Sequence, residues 1–525
     1  MNLLKSGDNG PCETPLPISN RTVKTRSADG TAGVALWESR SPPTFSKGPT
    51  AKPGLSLFCY HAFIAGEVRP APVDERGGSG QMADVRPFRG LRYNGEAIGD
   101  LSLVVAPPYD VIDDEQRDAF YNKHPYNVIR LILNRPKKSD SDAEQPYVRA
   151  AQFLDRWIAQ RILIQDSVPS MYLYRQRYLL ESNYKECTGL IARVRVEEFS
   201  EGGILPHEDI MPRPLSDRKK LLEHTRTNLS VVQALYSDPG EKLKNPILAE
   251  TERFPVAQFQ SADGVAHDVW GISDEAFIKK MSSFLKKKPL YIADGHHRYQ
   301  TALEYSKSRR ESGEITDDED PRNFLMMMIV EMENPGLSVL PVHRVVLDSS
   351  SVDIDSMLKG IERWFTIAEV EVPKGPRSGQ VYHLVRQLEK AGESTRVFGA
   401  FVKDGRFLLL SWKSNLLLDK EIDGDYSDAY KKLDVTVFQK LVLEKVLGIA
   451  ADRESVEANL VFTRDPLEAV RLVDSGSAAA AFLLNATRVE QVREVANHSE
   501  KMPQKSTYFY PKPCSGVVMN RITSW

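Results

Sequence analysis

The sequence predicts an α+β fold: a mixed-sheet core followed by a further α+β region toward the C-terminus. Three observations carry that expectation. Candidate strands and helices alternate without a strict βαβ rhythm, which argues against a doubly wound parallel sheet. Hydrophobic residues are 41% and charged residues 27%, the balance of a globular protein and not of a disordered or fibrous one. The length, 525 residues, is ample for a sizeable core.

Residues 1–81 differ from the rest. They hold 10 of the 32 Gly and 9 of the 32 Pro in under a sixth of the chain. Such a segment buries too little to offset its ordering entropy. We expect a disordered leader or an upstream-start artefact, with the folded sequence opening at Met82. Leu55–Gly66 is apolar but too short to span a bilayer and too far along the chain for a signal peptide.

Beyond Met82, Leu101–Ala106 reads as a strand ended by Pro107-Pro108, with Asp110 placed to cap the next element. Residues 142–163 read as an amphipathic helix carrying Tyr147, Ala151, Leu154 and Ile158 on one face. Two strands come next, Ser170–Leu180 and Gly189–Phe199; the second alternates Ala192, Val194 and Val196 with Arg193, Arg195 and Glu197. After a polar loop come a helix from Asp217 to about Thr227, a strand over Lys288–Ala293 and a helix from His296 to about Arg310. Residues 312–322 are acidic and read as a solvated loop, and Asn323–Met332 as a buried strand. We place a core over residues 82–345 and a C-terminal region over 346–525. In the latter, Ile354–Phe365, Tyr382–Ala391 and Val435–Val446 read as helices and Ala478–Leu484 as a strand. Val397–Val402 and Arg406–Trp412 read as a hairpin around Lys403-Asp404-Gly405.

A net charge of −3, or −5 without the leader, provides no global field for nucleic acid. Nothing approaches 18 uninterrupted apolar residues, so a soluble, cytoplasmic protein without membrane partners is expected. Cys12, Cys59, Cys187 and Cys514 are scattered and form no CxxC pair, which points to reduced thiols. P-loop, dinucleotide, zincin and α/β-hydrolase signatures are absent.

The densest polar cluster is Asp294-Gly295-His296-His297-Arg298, between a strand and a helix. Helix starts favour anions, because their first N–H groups lack partners and the dipole is positive there. Gly295 admits a ligand close to the backbone, and His296, His297 and Arg298 are donors suited to phosphate. Asp294 could cap the helix or hold Mg²⁺. A second cluster, His207-Glu208, offers a carboxylate suited to a general base or an ordinary surface pair. Asp217, Arg218, Arg226 and Asn228 lie beyond it as supporting or substrate-contacting candidates, or as a solvated helix face. Lys505, Ser506 and Thr507 sit among aromatics near the C-terminus, able to meet a phosphate or carboxylate or simply to dock a strand.

ADGHHRYQTA, LPHEDI with the Asp217-Arg218 helix, RPFRGLRYN, APPYDVI and MPQKSTYFYP together resemble the prokaryotic family called domain of unknown function 1015, from about Met82 to Ile522. Over about Gly203–Tyr305, the PHE loop and the DGHHR helix start are also similar to the ParB/sulfiredoxin superfamily and its free serine kinases. That resemblance implies ParB/sulfiredoxin-like elements in the core and a nucleotide site at about 203–305. It puts Asp294, Gly295, His296, His297 and Arg298 at the nucleotide phosphates and Glu208 at an acceptor hydroxyl, with His296 and Arg298 stabilising transferred charge.

The expected function is therefore a kinase-like phosphotransferase using a nucleoside di- or triphosphate, with Mg²⁺ as candidate counter-ion. The acceptor is a small hydroxylated metabolite, free serine first. The alternatives are a phosphomonoester phosphohydrolase on the same site and a nucleotide-binding switch associated with DNA. Oligomeric state is left open.

Overall fold

The central strands form over short apolar runs such as Phe324–Glu331 and Ala478–Leu483, buried on both faces. A nine-stranded mixed sheet contains β1 (Val85–Arg86), β2 (Met171–Leu180), β3 (Asn183–Arg195), β4 (Ile204–Leu205), β5 (Val232–Tyr236), β6 (Ala257–Gln260), β7 (Ala266–Ile272), β8 (Leu290–Asp294) and β9 (Phe324–Glu331). Its order is β4-β8-β5-β9-β3-β2-β7-β6, with β1 beside β3. Only β4/β8 and β5/β9 run parallel. This computed structural model describes residues 83–523 apart from 139, 210–211 and 348–351. The expected leader, 1–81, and Met82 lie outside the described residues.

Strand β9 explains how the sheet is covered. Its run FLMMMIV is buried throughout, and the pleat sends alternate residues to opposite faces. Leu325, Met327 and Ile329 join Phe277 and Met281 of α3 (Glu275–Leu285) and Tyr299 and Ala302 of α4 (His296–Glu311). Met326, Met328 and Val330 join the core that continues to Phe398 and Phe482. Burying each such side chain stabilises by about 1.5–3 kcal/mol, before entropy is counted.

Phe398 and Phe482 belong to an antiparallel six-stranded sheet of β10 (His343–Leu347), β11 (Phe365–Glu369), β12 (Val397–Val402), β13 (Phe407–Trp412), β14 (Leu460–Thr463) and β15 (Ala478–Leu483), ordered β11-β13-β12-β15-β10-β14. A third core lies around α1 (Gln145–Ala159), where Ala150, Leu154 and Trp157 meet Leu131, Leu163 and Leu221. Leu221 is supplied by α2 (Pro212–Thr225). Among the described residues no helix is long and apolar enough to cross a membrane.

The C-terminal segment then laces these layers together. Met502 donates its N–H to His207 O at 2.8 Å, and Tyr508–Tyr510 pairs with Ser338–Leu340. Ser515 bridges Ala106, Met519 bridges Leu91, and Asn520–Arg521 pairs with Thr227–Asn228.

Several expected elements differ. Leu101–Ala106 is not a strand: Leu101–Leu103 is a 3-10 turn, because the Asp100 carboxylate takes the Ser102 N–H at 2.8 Å and curls the chain. Asp110 caps nothing; it lies inside a second 3-10 turn, and Asp113 forms a capping box with Gln116. The helix expected from Asp217 begins at Pro212, since proline in a first turn forfeits no helical hydrogen bond. Ile354–Ile361 ends early and Phe365 opens β11; the helix at Val435 continues from Phe438 to Val446 with wide π-type turns. The acidic loop is pinned and not merely solvated, by Arg309–Glu314 and Arg310–Asp318 pairs at 2.7 and 2.8 Å.

Gly336 packs directly on the β2/β3 hairpin. A Cβ there would overlap the Glu186 carbonyl and sit 2.7 Å from Cys187 N. Gly336→Ala is expected to lower the unfolding free energy by about 1–3 kcal/mol in urea denaturation, since backbone cannot yield as a side-chain tip does.

Candidate functional site

Strand β8 ends by delivering Asp294 to the mouth of the sheet. Gly295, at φ +94°, turns the chain in a conformation unfavourable to other residues, and α4 starts at His296. A Cβ on Gly295 would also meet the Arg298 guanidinium at 2.9 Å. No side chain caps α4. Asp294 is therefore not the cap that the sequence allowed. Its Oδ2 accepts from Arg298 Nη2 at 2.5 Å, one helical turn on, and its Oδ1 pairs with Lys512. Lys512 also reaches Asp110 at 3.4 Å and lies 4.8 Å from the Tyr508 ring centre. Burial alone would raise the Asp294 carboxyl, but Lys512 and Arg298 override it and hold it well below the usual range.

The adjacent histidines have separate surroundings. His296 is buried and turned toward His207, with ring centroids 4.7 Å apart and edge to face. Its Nε2 accepts from the His207 backbone N–H at 3.4 Å. His207 is buried too, its Nδ1 2.7 Å from Ile292 O and its Nε2 3.0 Å from Thr507 Oγ1. A carbonyl only accepts, so Nδ1 carries the proton and Nε2 receives the Thr507 hydroxyl. Burial pushes both histidines down, His296 well below its ordinary value. His297 is half-buried and lies in the fields of Glu208, Lys505, Asp110 and Arg298.

Glu208 stands opposite the C-terminal segment. It bridges Met502, and its Oε1 accepts from the Lys505 N–H at 3.2 Å. Lys505 has φ +56°, and its carbonyl accepts from Arg344 at 3.1 Å. The Ser506 hydroxyl donates to the Pro503 carbonyl. The remaining candidates lie along α2 and its exit. Asp217 accepts from Tyr147 Oη at 2.6 Å and from Arg218, which also donates to Ile132 O at 2.9 Å and covers the Tyr109 ring at 3.9 Å. Arg226 is exposed, and its left-handed backbone closes α2 while its carbonyl takes the Ile522 N–H. Asn228 is a buried clamp: its Oδ1 accepts from Met326 N at 3.1 Å and from Asn520 Nδ2 at 2.9 Å.

The fold thus gathers Glu208, Asp294, His297, Arg298 and Lys505 at one helix start and brings Arg218, Asn228 and Arg298 to the wall of one cavity. It turns His296 inward and leaves Arg226 outside. Two residues that sequence reasoning did not place in the site, Asp110 and Lys512, complete the charge cluster. The available signal was position: Asp110 lies within APPYDVI, and Lys512 comes directly after MPQKSTYFYP. The residues do not fit a protein-held Mg²⁺ at Asp294. Both its oxygens already face cations, and a divalent ion beside Lys512 and Arg298 would be repelled.

Residues 85–436 match the family described as "Protein of unknown function (DUF1015)", and the chain belongs to it. No curated protein matches the sequence. Among solved structures, a conserved hypothetical protein from Pyrococcus furiosus is 13% identical, with 61% of this chain and 92% of that one covered and a TM-score of 0.29. A free serine kinase in complex with AMP is 14% identical, covering 58% and 83%, at a TM-score of 0.28. SbnI with a C-terminal truncation, from Staphylococcus aureus, is 10% identical, covering 62% and 85%, at 0.30. Similarity at this level assigns no activity.

Lys512→Met should destabilise by about 1–3 kcal/mol, because it removes the cation shared by Asp294 and Asp110 and leaves Arg298 as the remaining partner of Asp294. Adding Asp294→Asn should recover part of that loss in a double-mutant cycle. Stability should also fall with pH. His207, His267, His296 and His343 are all buried with folded values below the unfolded one, His267 at about 4 and His343 at about 3, burial being the first cause of each. The unfolded chain then binds the extra protons, so this contribution is complete above about pH 6.5 and declines below it. Urea midpoints at pH 7.5 and pH 5 measure the decline.

Proposed function

We propose that the protein is a nucleotide-dependent phosphotransferase, with a nucleoside di- or triphosphate as donor and a small hydroxylated metabolite as acceptor. Free serine is the first acceptor to test. The single observation that carries the reading is the start of α4: a helix of 16 residues with no side-chain cap, opened by a left-handed glycine and flanked by Arg298 and Lys512. Partial positive charge and donor groups converge there as a phosphate requires. An arriving phosphate exchanges with Asp294 for these two cations, and Asp294 keeps them oriented until then.

Phosphoryl transfer asks mainly for position and charge neutralisation. The acceptor oxygen attacks the terminal phosphorus, the bond to the bridging oxygen breaks, and the shortened nucleotide departs with the electron pair. Glu208 takes the acceptor proton, Arg298 and Lys512 face the transferred group, and His297 lies in the fields of Glu208 and Arg298. His296 and His207 act as positioning residues, through Ile292 and Thr507. In domain terms the chemistry belongs to residues 82–345, within about 203–305, while the region 346–525 brings Lys505 and Lys512. A cytoplasmic location, where nucleotides and metabolites are at hand, accords with this role.

Phosphorus NMR of the protein with ATP or ADP, Mg²⁺ and a panel of hydroxylated metabolites tests the reading. Transfer to one acceptor is expected, with Arg298→Ala abolishing it and Glu208→Gln slowing it by about 10²–10⁴-fold. If no nucleotide binds or turns over and Arg298→Ala changes nothing, the reading fails; if Glu208→Gln leaves turnover intact, the base is another group.

A further inference from the structure

We propose that Arg464 and Lys505 form an anion subsite beside the candidate site, taking the phosphate of a small phosphorylated hydroxy compound. As the place of an acceptor this rests on the phosphotransferase reading, while as a binding site it stands on the two cations and the segment that holds them.

Contacts around Tyr508 fix the location. The Arg464 guanidinium, directly after β14, lies 4.0 Å from the centre of the Tyr508 ring, and the Lys512 ammonium lies 4.8 Å from the same centre. One aromatic ring therefore separates Arg464 from the cation that pairs with Asp294. Arg344 of β10 closes the circle from behind. It lies over the ring of Phe462, two residues before Arg464, and donates at 3.1 Å to the carbonyl of Lys505, three residues before Tyr508. Arg464 and Lys505 thus reach one rim from two segments.

The Lys505 backbone is clamped. At φ +56° it is left-handed, a conformation that a lysine keeps only where its neighbours impose it. Glu208 accepts its N–H, Arg344 holds its carbonyl, and Thr487 donates to the next carbonyl at 3.1 Å. The side chain is left exposed.

Arg464 is exposed as well, and among the described residues neither cation has a carboxylate within ion-pair distance. The acids around them are committed: Asp465 caps the next helix through the Leu467 N–H at 2.9 Å, Asp209 pairs with Lys501 at 2.8 Å, and Asp294 and Asp110 share Lys512. Behind the rim, Arg344 is 3% exposed and is met by the Val342 and Lys505 carbonyls, not by a carboxylate. Burial lowers its guanidinium to about 10, which leaves it charged at neutral pH. Three cations without an ion partner suit a doubly charged phosphate better than a carboxylate, and they oppose the ammonium of a zwitterion. A molecule held by Lys505 also keeps its hydroxyl end within reach of Glu208, which touches the Lys505 backbone.

The test titrates the full chain, without nucleotide, with glycerol 3-phosphate, glycerate, serine and glycerol, followed by calorimetry and saturation-transfer NMR. Glycerol 3-phosphate is expected to saturate at least about tenfold more tightly than the other three in dilute buffer and to weaken in about 0.5 M salt. Arg464→Gln and Lys505→Gln should each lose about fivefold in that affinity, the size expected for an exposed charge, and Arg464→Lys should lose less. Melting curves establish that the variants are folded. Equal or tighter binding of glycerate, serine or glycerol overturns the proposal, as does the absence of saturable binding. So does Arg464→Gln binding like the wild type, which would put the phosphate at the start of α4 instead. Binding that depends on Arg464, with no transfer from any nucleotide, would sink the phosphotransferase reading and leave the subsite standing. Transfer to serine that Arg464→Gln leaves unchanged, with no binding of glycerol 3-phosphate, would do the reverse.

Discussion

One largely buried carboxylate holds the candidate site together. Asp294 ends β8, Arg298 lies one turn into α4, and Lys512 arrives from a segment 218 residues further along the chain. A carboxylate taken from water this far must be paired, and here two cations compensate one anion, with Asp110 sharing Lys512. The consequence is architectural: strand, helix and C-terminal segment meet at one point. Loss of any one partner leaves the others charged and poorly solvated.

The neighbouring histidine pair shows the complementary strategy. His207 and His296 are buried without carboxylate partners and are satisfied as neutral rings, by Ile292 O and the Thr507 hydroxyl for one and the His207 backbone N–H for the other. A charged residue at the mouth of the sheet and neutral rings just behind it create a steep change in polarity over a few ångströms. Lys512 and Thr507 both come from the C-terminal segment, which is why the candidate site is complete only once the last residues have docked. Electrostatics and topology are coupled there.

Much of the framework was legible beforehand. The alternation of Ala192, Val194 and Val196 with Arg193 and Arg195 identified β3, because period-two burial needs no knowledge of the partner strand, and the short apolar run before Asp-Gly identified β8, which is buried at four successive positions. Leu101–Ala106 misled for the same reason in reverse. Five apolar residues in six announce burial, but the Asp100 side chain chose a turn over a strand. On the 142–163 helix the face was rotated: Ala150, Leu154 and Trp157 are its buried residues, while Tyr147 and Ile158 are half-covered at its margin.

For the site, local rules were enough to start a helix at His296, directly after Asp294-Gly295. Such rules depend on backbone conformation and on residues within one turn of each other. They could not say that His296 faces inward while His297 does not, or that Asp294 would be paired rather than capping. Nor could they supply Lys512 and Asp110. Those outcomes depend on which distant segments are brought within a few ångströms, and burial then forces each polar group to find its partner or go without.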